Sequence, residues 1–204
     1  MTKLKICGMK FFENILDVSA LQPDYLGFIF YEKSARFFEG EIPNLPKSIQ
    51  KVGVFVNDNF ENIISKIHKY QLNIVQLHGN ETPEFCKEIR TFCKVIKVFS
   101  IDKTFDFYQL ENYETVCDYF LFDTKGVLHG GNGYAFDWSI LSKYKSQKPF
   151  FLSGGLDLEN FNELKKLNLP IFAIDINSNF ELEPGLKDLT KIKTITQKLK
   201  QFNQ

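Results

Sequence analysis

Short runs of apolar, β-prone residues alternate along the whole chain with longer segments of amphipathic, helical period. The runs fall at residues 4–7, 25–30, 51–55, 74–77, 95–99, 119–123, 150–153 and 171–174. They are apolar at successive positions, as strands covered on both faces must be, not as half-solvated hairpins are. Between them, Phe60, Ile63, Ile64 and Ile67 share one helical face. Thr82 followed by Pro83 has the chemistry of an N-cap and a first helical position. Residues 157–161 and 184–188 are read as the starts of the last two helices.

Strands alternating with helices predict an α/β fold with a parallel sheet. Divided among eight units, the 204 residues leave about 25 each, enough for a strand, a helix of about eleven residues and two short loops. Eight such units close into a barrel, and about 200 residues is the lower end of that fold's size. The expectation is one (β/α)8 TIM barrel domain over residues 1–204. A doubly wound open sheet shares the alternation, but it would want a Gly-x-Gly-x-x-Gly turn after the first strand. Cys7-Gly8-Met9-Lys10 stands there instead.

Charge and cysteine usage narrow the partners. Lys and Arg (25) balance Asp and Glu (25), so no global field recruits nucleic acid or an anionic membrane. An anionic ligand must then be gripped locally. The longest apolar stretch, residues 25–31, is far short of the roughly 20 needed to cross a bilayer, and the first residues lack a signal-peptide pattern, so a cytoplasmic protein is expected. Cys7, Cys86, Cys93 and Cys117 make no Cys-x-x-Cys pair, and His68, His78 and His129 are scattered, so no zinc site is expected. Three of the thiols read as core filler, and Cys7 has the context worth arguing over. Phe11, Phe12, Phe105 and Phe107 face either the core or a dimer contact, which leaves monomer and homodimer both open.

In such barrels ligands sit at the C-terminal ends of the strands. The polar groups ending each run are Cys7, then Lys33-Ser34-Ala35-Arg36, Asn57, Gln76 with His78, Asp123, Ser153-Gly154-Gly155 and residues 175–179. Ser153-Gly154-Gly155-Leu156 and Asn177-Ser178-Asn179-Phe180 follow the seventh and eighth strands, the usual phosphate position, where small residues let backbone N–H groups approach an anion. Glycines there also serve simply to turn the chain. Cys7 at the first strand's end is a base or nucleophile if its thiolate is favoured, and otherwise a small core residue. Asp123 across the mouth supplies an acid or caps a loop. Arg36 grips a carboxylate bidentately or is a solvated surface arginine.

The ordered segments Lys5-Ile6-Cys7-Gly8, Leu26-Gly27-Phe28-Ile29-Phe30 and Val52-Gly53-Val54-Phe55-Val56-Asn57 resemble the phosphoribosylanthranilate isomerase family. So do Val75-Gln76-Leu77-His78-Gly79, Gly130-Gly131-Asn132-Gly133 with Phe136-Asp137-Trp138, Ser153-Gly154-Gly155-Leu156, and Pro184-Gly185-Leu186-Lys187-Asp188. Any one is weak; together, in order, they are specific. The resemblance implies an acid–base Amadori rearrangement of N-(5-phosphoribosyl)anthranilate in tryptophan biosynthesis, with no metal or cofactor. It implies that Cys7 is the general base at ribose C2 and Asp123 the general acid at the ring oxygen. Arg36 then binds the anthranilate carboxylate, and Gly154, Gly155, Ser178 and Asn179 hold the phosphate. Asp175 and His78 line the mouth. Asn132 and Asn179 stand where the family more often has threonine and glycine; asparagine tolerates positive φ best among the other residues, so the phosphate loop is expected to keep its shape. Residues 125–129 fit a mobile loop after the sixth strand.

Two rivals remain. Another phosphoribosyl-handling barrel, such as the histidine-pathway isomerase or indole-glycerol-phosphate synthase, is disfavoured by Cys7. A catalytically silent phosphate-binding barrel would have lost the acid or the base, and this chain has both.

Overall fold

The computed structural model describes residues 1–124, 138–167 and 169–203. Eight parallel strands pair in sequence order and close on themselves, β1 (Lys3–Ile6), β2 (Tyr25–Ile29), β3 (Gln50–Phe55), β4 (Ile74–Leu77), β5 (Lys94–Ile101), β6 (Tyr119–Thr124), β7 (Phe150–Ser153) and β8 (Ile171–Ile176). No strand end lies more than two residues from its expected position. The barrel is the expected (β/α)8 fold, and the open sheet is ruled out by the β1–β8 pairing, which runs from Lys3 opposite Ala173 to Ile6 opposite Ile176.

Alternation along each strand builds two cores, because successive side chains point to opposite faces of a sheet. Leu4, Ile6, Leu26, Phe28, Phe120, Phe122, Ile174 and Ile176 pack outward against the covering elements. Tyr25, Val52, Ile74, Ile96, Leu121, Phe151 and Ala173 fill the barrel. Among the described residues the barrel interior below the mouth is therefore filled by side chains, and within the barrel a ligand has room above that layer.

The covering layer departs from the even pattern expected. Among the described residues four α-helices form: α1 (Phe12–Ser19), α2 (Phe60–Tyr70), α3 (Pro83–Ile89) and α4 (Leu189–Phe202). In α2 the Asn59 side chain accepts from the Asn62 N–H, and Ile63, Ile67 and Tyr70 are buried on one face. In α3 the expected cap is present, with Thr82 accepting from the Phe85 N–H at 3.3 Å. Short 3-10 helices, Phe107–Tyr113, Trp138–Lys143 and Asn160–Lys166, stand in the fifth to seventh units. Residues 30–49 contain no helix; Gly40, Pro43 and Pro46 interrupt any helical run there.

The expected helix start at 184–188 needs correction. Glu181–Glu183 (β9) and Leu186–Lys187 (β10) form an antiparallel hairpin, turned at Gly185 with φ 92°, and the helix begins only at Leu189. Asp188 is the true N-cap, accepting from the Thr190 and Lys191 N–H groups at 2.9 and 3.2 Å. Of the four phenylalanines left open, Phe105 and Phe107 pack against the core while Phe11 and Phe12 are exposed. No described helix is long and apolar enough to cross a membrane.

Candidate active site

One step above the inner apolar layer the same strands change character. Ile74 gives way to Gln76, Leu121 to Asp123, Phe151 to Ser153 and Ala173 to Asp175. A cavity of about 230 Å³ opens over them, and Cys7, His78, Asp123, Gly154, Gly155, Asp175, Ser178 and Asn179 all line it. Residues spread over the chain from 7 to 179 are thus brought to one mouth. Of the expected site residues, Arg36 alone is not in that lining.

Cys7 sits just beyond β1, its N–H donating to the Ile176 carbonyl at 2.9 Å. The thiol is almost fully buried, and Gly27 makes room for it, since a Cβ there would lie 2.8 Å from Sγ. Burial pushes the thiol pKa up; Lys5 and Lys187 pull it back, while nearby Asp175 adds to the rise, and the net effect is upward. The surroundings of the thiol thus do not favour its thiolate, the condition on which a base or nucleophile role was made to depend.

Lys5 and Asp175 lie opposite each other in the β1–β8 register, and both point into the barrel. Their ion pair is 2.9 Å long with side chains 0 and 5% exposed. Burial disfavours the Lys5 charge, but Asp175 first and Cys7 after it more than offset burial, and the net effect on its pKa is upward. For Asp175 burial is the stronger influence and pushes the carboxyl up against the pull of Lys5. One oxygen, Oδ1, is buried without a partner, as is Oε1 of Gln76. Two acceptors at a cavity wall are what a polyhydroxylated ligand would satisfy.

On the other side, His78 Nε2 lies 3.5 Å from Asp123 Oδ2. His78 Nδ1 is 3.3 Å from Gln76 Nε2. With the amide donating to Nδ1, the ring proton sits on Nε2 and faces the Asp123 carboxylate. The His78–Asp123 approach is long for a hydrogen bond.

The glycine turn after β7 has φ 84° at Gly154 and 66° at Gly155, a region side chains rarely adopt. No atom lies within 4 Å of where a Gly155 Cβ would be, so backbone conformation, not crowding, requires glycine there. Ser178–Phe180 forms a 3-10 turn after β8. Asn179 ties the two loops together, its Nδ2 donating to the Leu156 carbonyl at 2.9 Å. It does not take the positive φ that its tolerance was expected to serve; its side-chain amide is what the turn uses.

Arg36 stands at the edge of the mouth. Its guanidinium donates side-on to Glu181, from Nε at 3.0 Å to both oxygens and from Nη2 at 2.6 Å. Lys187 donates to the same carboxylate at 2.6 Å and to Asn177 Oδ1 at 2.8 Å. Burial opposes ionisation of Glu181, yet Arg36, Lys187 and the Gly185 N–H together hold its carboxyl below the usual range. Sequence reasoning missed Lys5, Glu181 and Lys187. The period of two from Cys7 back to Lys5 could have found the first; Lys187 was hidden in the stretch 184–188 read as a helix start, and Glu181 lies just before it. Residues 125–137, with the expected mobile loop, the glycine cluster at 130–133 and Asn132, lie outside the described residues. Among the described residues no group of three or more His, Cys, Asp or Glu could hold a metal ion.

A closed (β/α)8 barrel whose mouth gathers a thiol, a carboxylate and a glycine-built turn is the architecture of a barrel enzyme. The family model for N-(5'-phosphoribosyl)anthranilate isomerase matches residues 4–198. The chain is 45% identical to the isomerase of Parabacteroides distasonis, over 96% of this chain and 92% of that one. It is 43% identical to that of Phocaeicola vulgatus, over 97 and 98%. The crystal structure of the Thermotoga maritima enzyme matches with a TM-score of 0.87 at 36% identity, covering 98% of this chain and all of that one. Another, solved in complex with reduced 1-(o-carboxyphenylamino)-1-deoxyribulose 5-phosphate, matches at 0.85 and 34% identity, over 98% of this chain and 100% of that one. The chain belongs to the phosphoribosylanthranilate isomerase family, enzymes of tryptophan biosynthesis.

Proposed function

We infer that this enzyme converts N-(5-phosphoribosyl)anthranilate to 1-(2-carboxyphenylamino)-1-deoxyribulose 5-phosphate with Cys7 and Asp123 as its base and acid. Asp123 gives a proton to the ring oxygen, the C1–O bond breaks, and the nitrogen lone pair forms the Schiff base. That cation acidifies the C2–H, and Cys7 takes the proton to leave an enolamine. Protonation at C1 and loss of the C2 hydroxyl proton complete the ketone, so no atom or electron leaves the molecule. A modest base suffices once the sugar is held in place.

The observation that carries this reading is the single cavity shared by Cys7, Asp123 and the turns at Gly154–Gly155 and Ser178–Asn179. In this reading backbone N–H groups of those turns hold the phosphate. Asp175 Oδ1, buried and unpartnered, is an acceptor for a sugar hydroxyl. A burial-raised thiol suits a base needed only after the substrate cation has formed, because that positive charge favours the thiolate when it is wanted. Reaction takes place in the cytoplasm, on a soluble metabolite. Incubation with N-(5-phosphoribosyl)anthranilate, followed by loss of its anthranilate-type fluorescence, tests the activity. Rapid loss is expected; no consumption by folded protein would favour a silent phosphate-binding barrel.

A further inference from the structure

We propose that Glu181 is a positioning residue that sets the enzyme's preference for a substrate bearing a ring carboxylate, by presenting the end of the Arg36 guanidinium to it. The proposal rests on the reading of Arg36 as the carboxylate grip.

Glu181 is a buried carboxylate, with a side chain only 4% exposed, that receives five hydrogen bonds. Arg36 uses Nε and one N–H of Nη2 on it. A guanidinium has five N–H groups in a fixed fork, so Nη1 and the second N–H of Nη2 remain for an end-on, bidentate carboxylate. Holding the side edge fixes the direction of the end edge. Arginine otherwise has several rotatable bonds, and freezing them beforehand removes that entropy from binding.

Charge points the same way. Arg36 and Lys187 share the one carboxylate of Glu181, which leaves a surplus of one positive charge. A surplus cation beside a cavity favours an anionic group. Location completes the case. The stem of Arg36 packs on Gly8, whose added Cβ would lie 2.7 Å from both Arg36 Cδ and Asn177 Oδ1. Gly8 adjoins Cys7, and both Cys7 and Asn177 line the cavity. The β9–β10 hairpin, unexplained by the barrel itself, thereby acquires a purpose: it carries Glu181 and Lys187 to the rim.

The test compares two competitive inhibitors, reduced 1-(o-carboxyphenylamino)-1-deoxyribulose 5-phosphate and the same compound without its ring carboxylate. Wild-type enzyme should bind the first at least about tenfold more tightly, the scale of a charge-assisted bidentate contact. That ratio should collapse in Arg36→Ala. In Glu181→Gln it should fall at least about fivefold, while binding of the carboxylate-free compound stays within about twofold of wild type. Glu181→Asp keeps the negative charge but shortens its reach to Arg36, so it should lose the ratio too, and it covers the case in which Glu181→Gln fails to fold. A ratio that collapses in Arg36→Ala but survives in the Glu181 variants overturns the proposal. Equal weakening of both inhibitors in the Glu181 variants overturns it as well, because it marks a merely structural role. A ratio that survives in Arg36→Ala refutes the reading of Arg36 itself.

Discussion

Two layers of the barrel interior, made by the same strands only two residues apart, follow opposite rules. The lower layer, with Tyr25, Val52, Ile74, Ile96, Leu121, Phe151 and Ala173, is apolar and closely packed. The upper layer, with Cys7, Gln76, Asp123, Ser153 and Asp175, is polar, holds the buried Lys5–Asp175 pair at its base, and borders a cavity. Burying charge is costly, and replacing a buried pair by apolar residues is often neutral or stabilising. A barrel selected for stability alone would have continued the lower layer upward. The contrast assigns stability to one layer and chemistry to the other, and substitutions on a shared strand can break it.

Strand β6 offers the sharpest pair. Leu121→Ala should cost about 2–5 kcal/mol of stability, the usual range for a buried large-to-small change, with per-molecule turnover in the surviving folded enzyme little altered. Asp123→Asn should reverse the profile, with denaturant midpoint nearly unchanged and turnover down by at least about a hundredfold. Urea titrations and initial rates on both variants decide it; matching profiles would erase the distinction between layers.

Lys5→Met should affect both properties, because Lys5 joins the layers. Leaving Asp175 buried without its cation should cost about 3–5 kcal/mol. Lys5 also pulls the Cys7 pKa down against burial, so its removal should move that pKa further up. Activity that requires the thiolate rises with pH through that pKa. The rising limb of the kcat/KM profile should therefore lie at higher pH in the variant than in the wild type. A limb at unchanged pH would show that Lys5 does not act on Cys7.

Gly27→Ala should displace the Cys7 thiol, since the new methyl would start 2.8 Å from Sγ and 3.1 Å from the Cys7 Cα. A misplacement of about 1 Å in a reacting group can cost up to about a hundredfold, so turnover should fall between about ten- and a hundredfold, read from initial rates at saturating substrate. The smallest effect is expected at Asn179→Ala, which removes one hydrogen bond between the loops after β7 and β8. About 1 kcal/mol of stability should be lost, with a severalfold rise in KM from the loosened phosphate turn. An unchanged KM would separate Asn179 from phosphate holding.

The strands were legible because two-sided burial leaves little ambiguity: runs such as Ile74–Leu77 and Phe150–Ser153 are apolar except at the one residue that faces the mouth, Gln76 and Ser153. The polar residues after each run located the mouth for the same reason, since topology sends every strand end to one rim. The covering layer was less legible. A short 3-10 helix such as Trp138–Lys143 buries Trp138, Ile140 and Leu141 as an α-helix would, and amphipathic spacing does not separate the two. Pro184-Gly185 suits a helix start and equally the turn of a hairpin, and only pairing of Lys187 with Glu181 decides between them. Lys5 went unread because a lysine between Leu4 and Ile6 looks like a solvent-facing strand position. In a closed barrel that face is the interior.

The central claim is that Cys7 and Asp123 act on one sugar whose phosphate is held by the turns after β7 and β8. A crystal structure of this protein with reduced 1-(o-carboxyphenylamino)-1-deoxyribulose 5-phosphate tests it most directly. The account predicts one ligand in the cavity, its phosphate against the amides of Gly155 and Ser178, with Cys7 Sγ within about 3.5 Å of the sugar C2 and Asp123 in hydrogen-bond reach of the former ring oxygen. A ligand that leaves either side chain out of contact, or seats its phosphate elsewhere, would contradict it.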